Sequence, residues 1–238
     1  DRLKQNPGTD FDLIIHLAAN ARVYNLVKEP RLALDNIIIT HNVYEYARKS
    51  GIKRIIFAGS REIYGNTSTR PTGEDQASQR KTESVYTASK VAGEAYAYAY
   101  SHCYGIETAI VRYSNVYGAY DFSDRFIPKA ISALRNGKTF EIYGEGKTLG
   151  FTHLSDAVSG TVVLAEKWPL EKVDEFNIAS DTQDNLYDVA IKLKNLLASE
   201  SQVVVGKNLI GEVMNFQADI SKMRDLLGWS PKVSLDEG

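Results

Sequence analysis

Short apolar, β-branched runs separated by longer segments of helical period dominate the first half of this chain, and that alternation leaves few architectures open. The runs are Leu13-Ile14-Ile15-His16-Leu17, Arg54-Ile55-Ile56-Phe57-Ala58 and Thr108-Ala109-Ile110-Val111-Arg112. Runs of four or five apolar residues suit strands buried on both faces, which occur where helices cover a parallel sheet. Between the first two, the spacing predicts a helix from about Leu32 to Lys49, with Ile37, Val43, Tyr44 and Ala47 on one face and Gly51 past its basic end. A second helix, from about Ser84 to Tyr104, delivers the chain into the third strand after Gly105. Strand, helix, strand repeated in this way predicts an α/β, Rossmann-like doubly wound parallel sheet. Beyond Gly118 the rhythm loosens into a helix near Ile127 to Arg135, a strand at Thr139 to Tyr143, and helices near Ser155 to Glu166 and Leu186 to Leu197. This second part predicts a smaller, mixed α/β lobe.

Composition narrows the function. The 238 residues, 43% hydrophobic and 24% charged, suffice for a buried core. A formal net charge of −2 offers no general attraction to nucleic acid or acidic lipid. Cys103, the only cysteine, excludes an intrachain disulfide and a sulfur-rich zinc site, and fits a reducing, cytoplasmic setting. The apolar runs are strand-sized, too short for a membrane span. His153 and Asp156 look metal-like, but the remaining histidines supply no ligand spacing; both are expected at a helix start capped by Ser155, with no metal site.

Ser60 follows the second strand, and Tyr86-Thr-Ala-Ser-Lys90 opens the helix before the third. Both therefore fall at the carboxyl side of a parallel sheet, where such sheets bind ligands. Tyr-x-x-x-Lys also occurs at Tyr24 to Lys28 and Tyr143 to Lys147, so position rather than the pattern singles out the Tyr86 pair. Four-residue spacing on a helix stacks both side chains on one face and lets an ammonium favour an ionised phenol. Bringing a phenol from about 10 to about 7 takes roughly 4 kcal/mol, more than one exposed charge supplies. In isolation the pair reads more readily as a surface aromatic beside a solvated lysine.

Context adds more. His16-Leu17-Ala18-Ala19, Asn36 following Pro30, Ala58-Gly59-Ser60-Arg61-Glu62-Ile63-Tyr64-Gly65, Tyr86 with Lys90, Arg112-Tyr113-Ser114-Asn115-Val116-Tyr117-Gly118, and Asp219-Ile220-Ser221-Lys222 followed by Leu227-Gly228-Trp229-Ser230-Pro231 stand in that order. Together they resemble the extended short-chain dehydrogenases, the NAD-dependent epimerase/dehydratase group that acts on nucleotide-diphosphate sugars. The resemblance implies NAD as cofactor, with Ser60, Tyr86 and Lys90 catalytic. It places Leu17, Ala18, Ala19, Asn36, Ala58, Gly59, Tyr86, Lys90 and Tyr113 at the dinucleotide, and Asn115, Arg125, Phe126, Ile142 and Tyr143 at the sugar nucleotide. An oxidised nicotinamide ring would supply the second positive charge that the phenol needs. The resemblance further implies a cofactor domain over 1–118 and 151–180, a sugar-nucleotide lobe over 119–150 and 181–238, and a homodimer through a four-helix bundle built on the two long helices. Tyr44, Tyr46, Tyr96, Tyr98 and Tyr100 would lie either in that interface or in the core.

Several residues bear on the reaction. Dehydratases of the group carry an Asp-Glu pair after the Ser60 position, where this chain has Arg61-Glu62, and an arginine cannot serve as an acid at ordinary pH. Glu62 remains open as an acid–base group of a decarboxylase or dehydratase, or as a solvated carboxylate. A 4-epimerase needs no third acid or base and is the leading expectation; a non-catalytic relative that keeps the fold is the alternative from another class. Leu149-Gly150-Phe151 and Asn215 stand where relatives often carry phosphate-binding arginines, and Arg125 is a replacement or an ordinary helix-start arginine. No Gly-x-x-Gly-x-x-Gly turn occurs, so the resemblance implies a phosphate-binding segment of roughly 50 to 70 residues ahead of this sequence.

Overall fold

The structure, a computed structural model, describes residues 11–67, 71–168 and 172–238. Four parallel strands form the main sheet: β1 (Leu13–His16), β2 (Arg54–Ala58), β3 (Glu107–Tyr113) and β8 (Val173–Ile178), in the order β1-β2-β3-β8. Two long helices, α2 (Arg31–Ser50) and α3 (Val85–Tyr104), make the connections between the first three strands. Each ends on a left-handed glycine, Gly51 at φ 75° and Gly105 at φ 64°, a conformation that favours a residue without Cβ. Ser84 starts α3, its hydroxyl accepting the Thr87 N–H at 3.2 Å.

Period-2 alternation sorts the strand side chains onto two faces. Ile55, Phe57 and Ile110 pack with Tyr44, Ala47, Ala97 and Tyr100 under α2 and α3. Ile56, Ala109 and Val111 point the other way, onto Leu164, Phe176, Met223, Leu227 and Trp229. The second face is covered by α5 (Leu154–Lys167) and α7 (Ser221–Leu227). Helices on both faces make the sheet doubly wound, as expected from the continuous apolar runs. Among the described residues the outer edge of β1 has no strand partner, and Ile15 and Leu17 are 47% and 61% exposed there.

Two details depart from the sequence reading. The buried stripe of α2 is Ala33, Asn36, Thr40, Tyr44 and Ala47; Ile37 and Val43 flank it, half-buried. Polar Asn36 and Thr40 are drawn inward because they have partners there, Asn20 and Ser89 for Asn36 and His16 for Thr40, a demand that apolar periodicity does not register. The cap of α5 is His153, whose Nδ1 accepts the Ser155 N–H; Ser155 is already inside the helix. Tyr44, Tyr96, Tyr100 and Tyr104 form an aromatic ladder, with ring centroids 5.0 Å apart for Tyr100–Tyr104 and 5.1 Å for Tyr44–Tyr100, and Tyr44 is fully buried.

Helix α1 (Val23–Lys28) precedes α2, and beyond β3 the chain adds α4 (Phe126–Arg135) and α6 (Leu186–Leu196) as helices, with three small strand pairs. These pairs are β4 (Asn115–Tyr117) with β7 (Phe151–His153), β5 (Phe140–Tyr143) with β10 (Val203–Gly206), and β6 (Thr148–Leu149) with β9 (Asp184–Asn185). Their apolar side chains build a separate core around Leu134, Phe140, Ile142, Phe151, Leu186 and Phe216.

Helix α3 approaches the sheet most closely at Gly93. A Cβ added there would lie 2.2 Å from Phe57 Cζ, and Phe57 is itself buried. Gly93→Ala is therefore expected to lower stability by about 1–3 kcal/mol through overpacking, with partial recovery in Gly93→Ala/Phe57→Leu. Urea denaturation of the two variants measures both effects.

Candidate active site

The carboxyl ends of β1, β2 and β3 open into a cleft of 1210 Å³. Leu17 and Ala19 enter it after β1, Ala58, Gly59 and Ser60 after β2, and Tyr113 and Asn115 at the end of β3 and start of β4. The first turn of α3 brings Tyr86, and the second Lys90, to the same wall.

Ser60, Tyr86 and Lys90 converge there, each less than 10% exposed. Lys90 Nζ donates to the Ala58 carbonyl oxygen at 2.7 Å and lies 5.9 Å from the Tyr86 ring centroid. Burial lowers the Lys90 ammonium to about 8, partly opposed by the Glu94 carboxylate one turn along α3. Burial raises the Tyr86 phenol, while a hydrogen bond with the Ser60 hydroxyl acts in the opposite direction; Glu62 raises it further, and Arg125 and Arg61 lower it. The chain thus assembles a phenol, a hydroxyl and a labile ammonium around one point, and a further positive charge in the cleft would favour the phenolate.

Glu62 and Arg61 form a buried ion pair beside this group, Arg61 Nη2 to Glu62 Oε1 at 2.8 Å. The Glu62 N–H donates to Ser60 Oγ at 3.2 Å, tying the pair to the serine. Arg125, Phe126, Ile142 and Tyr143 line the opposite side of the cleft. Asn115 donates one amide N–H to the Gly150 carbonyl at 3.1 Å, which leaves its Oδ1 and second N–H for another partner. Asn36 and Ala18 do not line the cleft. The Asn36 side chain accepts from Asn20 N at 2.7 Å and donates to Asn20 O and Ser89 Oγ, so it holds the loop after β1 and reaches the cleft only through that loop.

Leu149, where relatives often carry the arginine, is buried at the cleft wall, and Gly150 beside it has no room for a side chain. A Cβ at Gly150 would sit 2.8 Å from the Thr182 carbonyl oxygen, and its own carbonyl is held by Ser114 and Asn115. Asn215 accepts from Thr148 Oγ1 at 2.7 Å and stands outside the cleft lining. His153 and Asp156 have structural duties: His153 caps α5, and Asp156 accepts the Val233 N–H at 2.9 Å. One cleft feature escaped the sequence reading: the Lys147–Glu212 ion pair at 2.5 Å. Lys147 was legible only as the end of a discounted Tyr-x-x-x-Lys match, and Glu212 had no signal.

The profile of the NAD dependent epimerase/dehydratase family matches residues 2–179. A putative UDP-glucose 4-epimerase of Methanocaldococcus jannaschii is 32% identical over 240 residues, spanning 96% of this chain and 75% of that protein. A UDP-N-acetyl-alpha-D-glucosaminuronate decarboxylase of Bacillus cytotoxicus is 31% identical over 244 residues, with 95% and 74% covered. The solved structure of MoeE5 in complex with UDP-glucuronic acid and NAD superposes with a TM-score of 0.90 at 26% identity, covering 97% of this chain and 77% of MoeE5. This chain belongs to the NAD-dependent epimerase/dehydratase family. It is an NAD-dependent enzyme of Rossmann fold.

The residues present fit the nicotinamide end of that cofactor. The desolvated Lys90 ammonium and the Ser60 and Tyr86 hydroxyls stand at the carboxyl strand ends, while Ile15, Leu17, Val158 and Val162 supply an apolar wall to the same cleft. Among the described residues no glycine-rich strand-to-helix turn faces the pyrophosphate end.

Burial and the Lys90 charge hold the His16 imidazole down at about 4. The unfolded chain therefore binds more protons between about 6.5 and about 4, so stability is complete above that window and is lost as the pH falls through it. His16→Gln is expected to remove roughly 2 kcal/mol of this acid sensitivity, read as a flatter stability profile between pH 7 and pH 4 in urea titrations.

Proposed function

We propose that this enzyme is a nucleotide-sugar 4-epimerase of the UDP-glucose/UDP-galactose type, acting through a transient 4-keto sugar. The observation that carries the reading is the Arg61–Glu62 ion pair. A 4,6-elimination needs an acid and a base beside the tyrosine, and here an arginine fills one position and binds the carboxylate of the other. Inversion at C4 needs neither. Tyr86, as phenolate, takes the proton of the sugar 4-hydroxyl, the Ser60 hydroxyl hydrogen-bonds the same oxygen, and the Lys90 ammonium stabilises the ionised phenol. Bound NAD supplies hydride acceptance and return. Turning the keto sugar before the return presents its other face, and Tyr86 gives the proton back.

In this reading Asn115, Phe126, Ile142 and Tyr143 hold the nucleotide sugar and Arg125 meets its diphosphate through guanidinium hydrogen bonds. The cleft-lining set contributed by 119–150 and 181–238 acts as the sugar-nucleotide lobe. Leu34 and Ile38 on α2 and Tyr98 on α3, each more than 40% exposed, suit a homodimer contact through these helices.

Incubating the NAD-loaded protein with UDP-galactose is expected to form UDP-glucose, detected by NMR, and Tyr86→Phe is expected to lower kcat by about 10²–10⁴. Formation of a dehydrated or decarboxylated product instead would overturn the reading in favour of chemistry at Glu62. Because the Lys90 ammonium is the active form and is held at about 8, kcat/KM is expected to decline above that pH. Lys90→Met is expected to be slow at every pH and to lack this limb.

A further inference from the structure

Three buried side-chain atoms lack a hydrogen-bond partner among the described residues, and two of them belong to one ion pair: Arg61 Nη1 and Glu62 Oε2. The third, the Tyr117 hydroxyl, packs against Gly238 at the end of the chain. Arg61 and Glu62 are 6% and 7% exposed, yet both line the cleft. An unpaired buried charge-bearing atom is costly, and native structures keep one where a ligand or ordered water completes it.

The surroundings restrict where that completing group lies. Behind Arg61, the guanidinium rests over the Phe216 ring at 5.6 Å, and Phe216 stacks on Tyr64 at 5.4 Å. That side is apolar and closed. The open side faces the cleft next to Ser60, to which Glu62 is tied through its N–H, and both charges act on the Tyr86 phenol. The pair that carries the unused donor and unused acceptor therefore sits next to Ser60 and Tyr86 rather than among the residues across the cleft.

We propose that Arg61 and Glu62 form a specificity-determining couple that receives a hydroxyl of the sugar next to the reacting carbon, and so selects neutral hexoses over hexuronates. The inference rests on the nucleotide-sugar reading above. A hydroxyl both donates and accepts, so it satisfies Glu62 Oε2 and Arg61 Nη1 together and reproduces the bonds of any water it displaces. A sugar carboxylate can satisfy only the guanidinium. It also sets a second anion against the free carboxylate oxygen of Glu62, around a guanidinium already half-neutralised, and like charges so placed are strongly disfavoured.

Binding of UDP, UDP-glucose and UDP-glucuronate to the NAD-loaded protein, measured by calorimetry, separates these terms from the rate of turnover. UDP-glucose is expected to bind at least about tenfold more tightly than UDP-glucuronate, a like-charge effect in a desolvated site. Glu62→Gln is expected to shrink that ratio several-fold and leave UDP affinity unchanged. Arg61→Met/Glu62→Met removes both charges without stranding either, and is expected to abolish the preference; unchanged UDP affinity reports that the site is folded. UDP-glucuronate binding as tightly as UDP-glucose in the unaltered protein, or a preference that survives both variants, would overturn the proposal. The expected binding ratio without conversion of UDP-galactose would instead defeat the 4-epimerase reading and leave the couple standing.

Discussion

The buried Arg112 guanidinium is the interaction that the rest of the site leans on. It reaches Glu94 through two hydrogen bonds, 3.0 and 2.8 Å, and spends its remaining amino group on the Tyr64 hydroxyl and the Glu74 carbonyl. Tyr64 in turn donates to Asn177 on β8, whose amide holds the Thr72 and Asp219 carbonyls. Six pieces of chain meet here: α3, β3, the turn after Ser60, the segment around Thr72 and Glu74, β8 and the approach to α7. With both charges of the pair buried, the arrangement stands only because each nitrogen of the Arg112 guanidinium is directed at an acceptor, and removing one partner would strand a charge at a cost of about 3–5 kcal/mol.

That network also sets the electrostatics of the cleft. Glu94 follows Lys90 by one helical turn, so the carboxylate neutralised by Arg112 is also the charge that keeps the Lys90 ammonium from falling further. Tyr64 closes the 3-10 turn that begins at Ser60, which places the Ser60 hydroxyl and the Arg61–Glu62 pair in the cleft lining. Burial disfavours the charged form of both Tyr86 and Lys90. The chain alone therefore biases both groups toward their uncharged forms, and the positive nicotinamide ring of a bound cofactor would shift the phenol toward ionisation.

The sheet was legible because its signal is local. Ile55, Ile56 and Phe57 are apolar in succession, and only a sheet covered on both faces buries all three. Tyr86 and Lys90 were legible through the helix that they open. The fourth strand, β8, was not: Val173-Asp-Glu-Phe-Asn-Ile178 carries three polar residues, and its hold on the sheet comes from pairing with β3 and from the Lys222–Asp174 contact, both non-local. Asn36 shows the same limit from the other side. The motif singled it out, but its duty, clamping the Asn20 backbone, depends on a loop that only folding brings near. The pairing of Arg61 with Glu62 left only adjacent opposite charges in the sequence, which a solvated turn would show equally.

The central claim, that Tyr86 chemistry inverts one carbon with no elimination at its neighbours, is tested most directly by isotope retention. With UDP-galactose carrying deuterium at C4, the account predicts UDP-glucose that keeps the whole label at C4, with no solvent hydrogen entering any ring carbon. Loss of the label to solvent, its transfer to another carbon, or solvent exchange at C5 would contradict the account and require a third acid–base group in the cleft.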